Sequence, residues 1–192
     1  MLEMAVKNQM SELTAMGMLY VESSKIFPSF AVKPTNKFNF DRESDELRKW
    51  IEHTLQSIPP EIKSLYFTQG EDKLHKDEDL TTYSISLLGG DSYDEYFDWI
   101  SDAKELTEKN FQSETLDGLF QFKDGLSWDF KRIAFLENII LYGYCMLLLV
   151  KACKAIDPKK LCNHNIKLNV VYGVTTGSEL VPYQALELTD LL

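Results

Sequence analysis

The stretch from Ile139 to Val150, IILYGYCMLLLV, limits what this chain can fold into more than any other part of it. Glu137 and Asn138 precede it and Lys151 follows, so its apolar length falls well short of the ~20 residues that a hydrocarbon core demands. The stretch therefore reads as the middle of a helix over about 128–156, capped by Ser127 and ended by Asp157–Pro158. That middle is apolar on every side, so the helix belongs at the centre of a domain with other elements packed around it.

The rest of the chain supplies those elements. Leu2, Val6, Met10, Leu13 and Met16 recur at helical spacing, which predicts a first helix over about 2–16 with Gly17 near its end. Residues 17–40, with Pro28 and Pro34 and no sustained period, read as a loop or a short edge strand. From Asp41 to Ile58 the pattern is a clear amphipathic helix: Asp41 or Ser44 can cap it, Leu47, Trp50, Ile51, Leu55 and Ile58 form one stripe, and Pro59–Pro60 stop it. Residues 62–68 (IKSLYFT) read as a strand. In TTYSISLL (81–88) Tyr83, Ile85 and Leu87 alternate with Thr82, Ser84 and Ser86, a second strand that Gly89 and Gly90 should end in a turn.

Tyr96 to Ile100 fits a third short strand, followed by helical turns over about 101–122 with Leu116, Leu119 and Phe120 facing inward. IKLNVVYGV (166–174) alternates Ile166, Leu168, Val170 and Tyr172 inward, and a strand over about 179–186 would lie on a sheet edge because Pro182 lacks an N–H. The expectation is an α+β fold: an antiparallel or mixed sheet of four to five strands packed against helices, in one domain spanning 1–192.

Thirty acidic residues against 20 basic give a net charge of −10. That balance repels phosphate backbones and anionic lipid surfaces, which argues against nucleic-acid and membrane partners and steers a cationic protein toward the surface. Cys145, Cys153 and Cys162 form no disulfide framework, and MLEMAVKNQM does not read as a signal peptide, so a cytoplasmic protein is expected.

Motifs that carry chemistry are lacking. His53, His75 and His164 stand in no metal-binding spacing, and Cys162 with His164 makes at best half of a zinc site. Cys145 and Cys153 lie in the apolar helix, where burial raises a thiol pKa and blocks access. Gly89–Gly90 and Gly173 with Gly177 match no phosphate-binding loop and read as turn glycines with positive φ. No catalytic residue, metal or cofactor is implied.

Between Glu71 and Glu105 eleven acidic residues stand against Lys73, Lys76 and Lys104. Within this segment DSYDEYFDW (91–99) places Asp91, Asp94, Glu95 and Asp98 among Tyr93, Tyr96, Phe97 and Trp99, a combination suited to gripping lysine and arginine by ion pairing and cation–π contact. With Asp77, Glu78 and Asp79 these residues form the candidate partner-binding surface: the seven carboxylates plus Tyr93 and Tyr96. The plainer alternative is a solvated acidic loop in which Phe97 and Trp99 merely anchor a strand. A small hydrolase-like enzyme using paired carboxylates, or a module that self-associates through Phe27, Phe30, Phe38 and Phe40, are the other readings; the oligomeric state is open.

The succession of SLYFTQG, GGDSYDEYFDWISD, FLENIILYGYCMLLLVKA and VVYGVTTGSE, covering about residues 61–180, resembles bacterial immunity proteins of polymorphic or contact-dependent growth inhibition toxin systems. The resemblance implies a cytoplasmic antidote that binds and neutralises a cognate toxin domain, often a basic nuclease. It assigns no individual residue a role.

Overall fold

In a computed structural model of the protein, the structure describes residues 39–73, 81–92, 98–124, 141–157, 169–176 and 179–187, together with positions 14, 17, 18, 21 and 25. Those five isolated positions are all α-helical, so Gly17 does not end a helix, and the loop expected after it is helical at Met18, Val21 and Lys25. An exposed glycine inside a helix weakens it without breaking it.

Helix α1 spans Phe40–Leu55. Its N-cap is Asn39, whose side chain accepts from the Arg42 N–H at 3.2 Å, rather than Asp41 or Ser44. The acidic first turn, Asp41 and Glu43, matches the positive end of the helix dipole. Leu47, Ile51 and Leu55 are buried as the stripe requires, with Ile58 beyond the helix also buried and Trp50 only partly so. The stripe is wider than the apolar pattern shows, since Glu43, Ser44, Glu52 and Thr54 are buried beside it.

Strand β1 (Ser64–Lys73) pairs antiparallel with β2 (Thr81–Gly90), Phe67 facing Leu87 and Gln69 facing Ile85 across the ladder. Period-two alternation puts Leu65, Phe67, Tyr83, Ile85 and Leu87 on the face that joins the core. The opposite face carries Ser64, Tyr66, Thr68, Thr82 and Ser84, all buried as well. Burial pushes the Tyr66 phenol up to about 12, Thr68 opposing that shift, and among the described residues the Tyr66 hydroxyl has no hydrogen-bond partner within reach.

Gly89 and Gly90 belong to β2 rather than to a turn. Gly89 has no positive φ; what it requires is space, because a Cβ there would lie 2.7 Å from Leu106 Cδ1 and 3.0 Å from Ile62 Cγ2. Beyond β2, residues 98–100 of the third strand expected at 96–100 are instead part of a 3-10 helix, Asp98–Asp102, anchored by buried Ile100, while Tyr96 and Phe97 lie outside the described residues. Two very short strands follow, β3 (Lys104–Glu105) and β4 (Phe111–Gln112), both paired antiparallel with β2. They act as one edge strand in two pieces, interrupted over residues 106–110, and such short pieces keep an edge from recruiting foreign strands. The Tyr83 N–H on β2 is covered too, by Asp117 Oδ1 at 2.6 Å. Burial pushes the Asp117 carboxyl above its ordinary range, and that backbone hydrogen bond pulls it back.

Helix α2 (Glu114–Asp124) packs its buried Leu116, Leu119 and Phe120 inward, as expected, with Phe120 stacked on Tyr83 at 5.3 Å between ring centroids. Gly118 lies on the exposed side, and a Cβ added there would meet nothing within 4 Å. Gly118→Ala is expected to stabilise the protein by about 0.5–1 kcal/mol, seen as a higher urea midpoint at unchanged slope. An unchanged or lower midpoint would contradict a helix at this position.

Helix α3 (Tyr142–Lys154) is buried from Gly143 to Val150 without a break, as the apolar stretch requires. It ends at Ala155, just before Asp157–Pro158; the expected start at Ser127 lies outside the described residues. Lys151, half-buried, pairs with Asp41 and lies 5.1 Å from the centroid of the Phe40 ring, which fastens the end of α3 to the start of α1.

Strand β5 (Asn169–Thr176) lies parallel to β1, and β6 (Glu179–Glu187) returns antiparallel to β5. Residues 166–168 of the expected strand lie outside the described set. Gly173 is inside β5 and not in a turn; at the register shift beside it the extra residue, Tyr183, belongs to β6. The six-stranded mixed sheet runs β3-β2-β1-β5-β6, with β4 also on β2, so the fold is α+β with four long strands and two fragments. Pro182 does mark an edge strand, since β6 ends the sheet.

Candidate functional site

The acidic segment is built around the end of β2. Lys63 N–H donates to Gly90 O at 2.7 Å and Ser64 Oγ to Ser92 O at 2.6 Å, so the chain leaving β2 is tied to the start of β1. Asp91, between those anchors, is exposed. Further on, buried Ile100 and the inward-packed Leu106, whose N–H donates to Leu87 O at 2.9 Å, pin a segment that leaves Asp102, Lys104 and Glu105 exposed between them. Because Glu105 pairs with Leu88 and Lys104 with Gly89, these side chains belong to the same corner of the sheet as Asp91.

Of the nine residues expected to bind a partner, Asp91 is placed on the surface. Asp98 opens the 3-10 helix at the same corner, its side chain not described; Asp77, Glu78, Asp79, Tyr93, Asp94, Glu95 and Tyr96 lie outside the described residues. Asp102 and Glu105 were not among the nine and join the site through the β2–β3 pairing. Charge alone pointed to their segment, whereas their return beside Asp91 depends on a strand pair too short to show a period.

The acidic residues of α1 behave differently. Asp45 accepts from Lys49 and Arg48, which hold its carboxyl below the ordinary range, and Glu46 pairs with Arg42 at 2.8 Å. That face is neutralised within its own helix. Asp91, Asp102 and Glu105 make no ion pair among the described residues.

A second polar cluster, invisible in the sequence, lies inside the molecule. Glu43 is buried on α1 and accepts four hydrogen bonds: Ser113 Oγ at 2.6 Å and Tyr144 OH at 2.8 Å on Oε2, Thr115 Oγ1 at 2.7 Å and Thr115 N–H at 3.0 Å on Oε1. Ser113 also caps α2 by accepting from the Leu116 N–H at 3.1 Å. The carboxylate thus sits at the N-terminus of α2, where backbone donors lack partners and the helix dipole favours negative charge. Burial and the neighbouring Glu43 charge push the Tyr144 phenol well above its ordinary range. With both oxygens doubly occupied and little solvent contact, Glu43 joins three helices and has no position free for a substrate.

His53 is an exposed residue of the last turn of α1, while His75, His164 and Cys162 lie outside the described residues. Cys145 and Cys153 are buried free thiols, and burial pushes Cys153 up to about 12. Phe40, expected as one of four self-association aromatics, is instead in the core, edge-on to Tyr144 at 5.7 Å. Among the described residues no group of three His, Cys, Asp or Glu is placed to hold a metal ion, and no helix is long and apolar enough to cross a membrane. Comparison of the chain with family models, with curated proteins and with solved structures finds no match in any of the three.

Proposed function

We propose that this chain is an immunity protein: a stoichiometric inhibitor that neutralises a cognate, cationic toxin domain by docking on it through the acidic corner at the end of β2. The observation that carries the reading is the contrast between two acidic surfaces. On helix α1 the carboxylates of Asp45, Glu46 and Glu52 are cancelled by Arg42, Arg48 and Lys49 of the same helix, whereas Asp91, Asp102 and Glu105 are held outward by buried anchors and make no ion pair among the described residues. Charge left uncancelled on a rigid edge, in a protein of net charge −10, favours fast encounter with a cationic surface and repels nucleic acid. The segment from Tyr93 to Tyr96 follows this corner directly in the chain and would add further carboxylates and rings to it, whereas Asp77, Glu78 and Asp79 fall between the end of β1 and the start of β2, the far end of that strand pair from Asp91, and are not part of the proposed surface.

The test is binding to the protein encoded immediately upstream, measured by stopped-flow and titration calorimetry. A complex should form at or below micromolar concentration, with an association rate that falls as salt rises. The triple variant Asp91→Lys/Asp102→Lys/Glu105→Lys should associate about tenfold or more slowly at low salt and lose most of that difference at high salt. Absence of any complex at micromolar concentration removes the reading; a complex indifferent to the triple variant moves the interface elsewhere.

A further inference from the structure

Strand β3 is two residues long, pairing Lys104 with Gly89 and Glu105 with Leu88, and the Leu106 N–H adds a backbone hydrogen bond to Leu87 O at 2.9 Å. A pairing of that length opens readily unless side-chain packing stands behind it. Leu106 supplies the packing, partly buried against the core. Its seat is the space over Gly89. A Cβ added to Gly89 would lie 2.7 Å from Leu106 Cδ1 and 2.9 Å from Cδ2, with Ile62 Cγ2 at 3.0 Å, so both Leu106 methyls occupy the volume in which any other residue would carry its side chain. The backbone gives no reason for glycine here, since φ at Gly89 is not positive and the residue lies within the regular β1–β2 ladder. Position 89 is small for the sake of the neighbour that rests on it.

We propose that Gly89 is a positioning residue of the acidic corner: having no side chain, it seats Leu106, and the seated Leu106 holds Glu105 at the end of β2 in the arrangement that the cationic partner meets. The inference rests on the reading of that corner as the docking surface. Gly89 is itself buried, so it acts through Leu106 and not by contact with the partner. The consequence is kinetic and has a sign. Long-range attraction depends on the summed charge, which a change at Gly89 or Leu106 leaves alone, so unseating Leu106 keeps the encounter rate nearly as it was. A corner that must be ordered on binding subtracts the ordering free energy from the complex, and the loss appears in dissociation. The chain beyond Leu106 is held separately, by the Trp50 indole N–H donating to Lys109 O at 3.2 Å, so loss of the seat loosens the Glu105 side first.

The experiment uses the full chain as Gly89→Ala, Leu106→Ala and the double variant, with folding checked by circular dichroism. Leu106→Ala empties the seat without a clash, so it decides the matter if Gly89→Ala fails to fold. Amide hydrogen exchange is first measured on each protein alone. In Gly89→Ala and in Leu106→Ala the amide at position 106 should exchange about tenfold or more faster, while the β1–β2 ladder around Gln69 and Ile85 keeps its parent rates. Binding to the protein encoded immediately upstream is then followed by stopped-flow, with Asp91→Lys/Asp102→Lys/Glu105→Lys alongside. Each single variant should dissociate about tenfold faster with low-salt association within about threefold of the parent, whereas the triple variant is slowed in association. Because both substitutions disturb one contact, the double variant should dissociate no faster than Leu106→Ala alone. Unchanged exchange at position 106, unchanged dissociation, or additive effects in the double variant would each overturn the proposal. A parent chain that forms no complex removes the docking reading and this proposal with it, whereas a parent complex indifferent to Gly89→Ala and Leu106→Ala overturns the seat alone.

Discussion

Glu43→Ala is expected to cost about 3–5 kcal/mol of folding stability, a large share of the 5–15 kcal/mol that holds a typical domain together. The loss does not come from a broken ion pair, because all four donors to Glu43 are neutral groups. It comes from what the substitution leaves behind: two hydroxyls, a phenol and a backbone N–H, buried and without an acceptor. Each such group costs ~1–3 kcal/mol when unsatisfied, less than additively because the side chains can reorient. The Thr115 N–H has no alternative inside its own helix, being in the first turn of α2. Glu43→Gln keeps one good acceptor and turns an NH2 toward donors, so about 1–3 kcal/mol is expected. Tyr144→Phe removes one donor and leaves Glu43 three, so its loss should be about 1 kcal/mol. Urea unfolding followed by circular dichroism measures all three; a loss below ~1 kcal/mol for Glu43→Ala would show that the cluster is not formed in solution.

A comparable loss, about 3–5 kcal/mol, is expected for Phe67→Ala. Phe67 is only 1% exposed on β1, the strand flanked by β2 and β5, and its ring faces the helices. Removing it withdraws the ring from apolar contact and leaves a cavity that flanking strands, fixed by their ladders, cannot collapse into. Phe67→Leu should cost ~1.5 kcal/mol or less, since most of the volume remains. The two Phe67 variants also serve as a control for the proposed function. They lower the folded fraction, but the salt dependence of binding to the proposed partner by the folded protein should stay as in the parent. A changed salt slope would tie binding to the core and not to the acidic corner.

The class of fold was open to reading because period and length are local properties. The alternation of Tyr83, Ile85 and Leu87, the stripe of Leu47, Ile51 and Leu55, and the unbroken apolar stretch through Leu147 each announce one element and one buried face, and each is found so. Local signals failed where a residue's role depends on what meets it from elsewhere. Gly89 reads as a turn glycine until Leu106 and Ile62 are seen against it. The segment 104–112 has no period because its two pairings with β2 are two residues each.

Charge was equally divided between what the chain states and what the fold decides. Sequence alone determined the surplus of carboxylates, the short apolar stretch that must be buried, and the proline that sends the last strand to an edge, because each follows from residue chemistry at one place in the chain. Tertiary structure decided that Glu105 returns to the end of β2, and it turned Glu43 from one more acidic helix residue into the acceptor that joins three helices. The Glu43 cluster depends on donors 70 to 101 positions away along the chain, and no local pattern encodes a meeting at that separation.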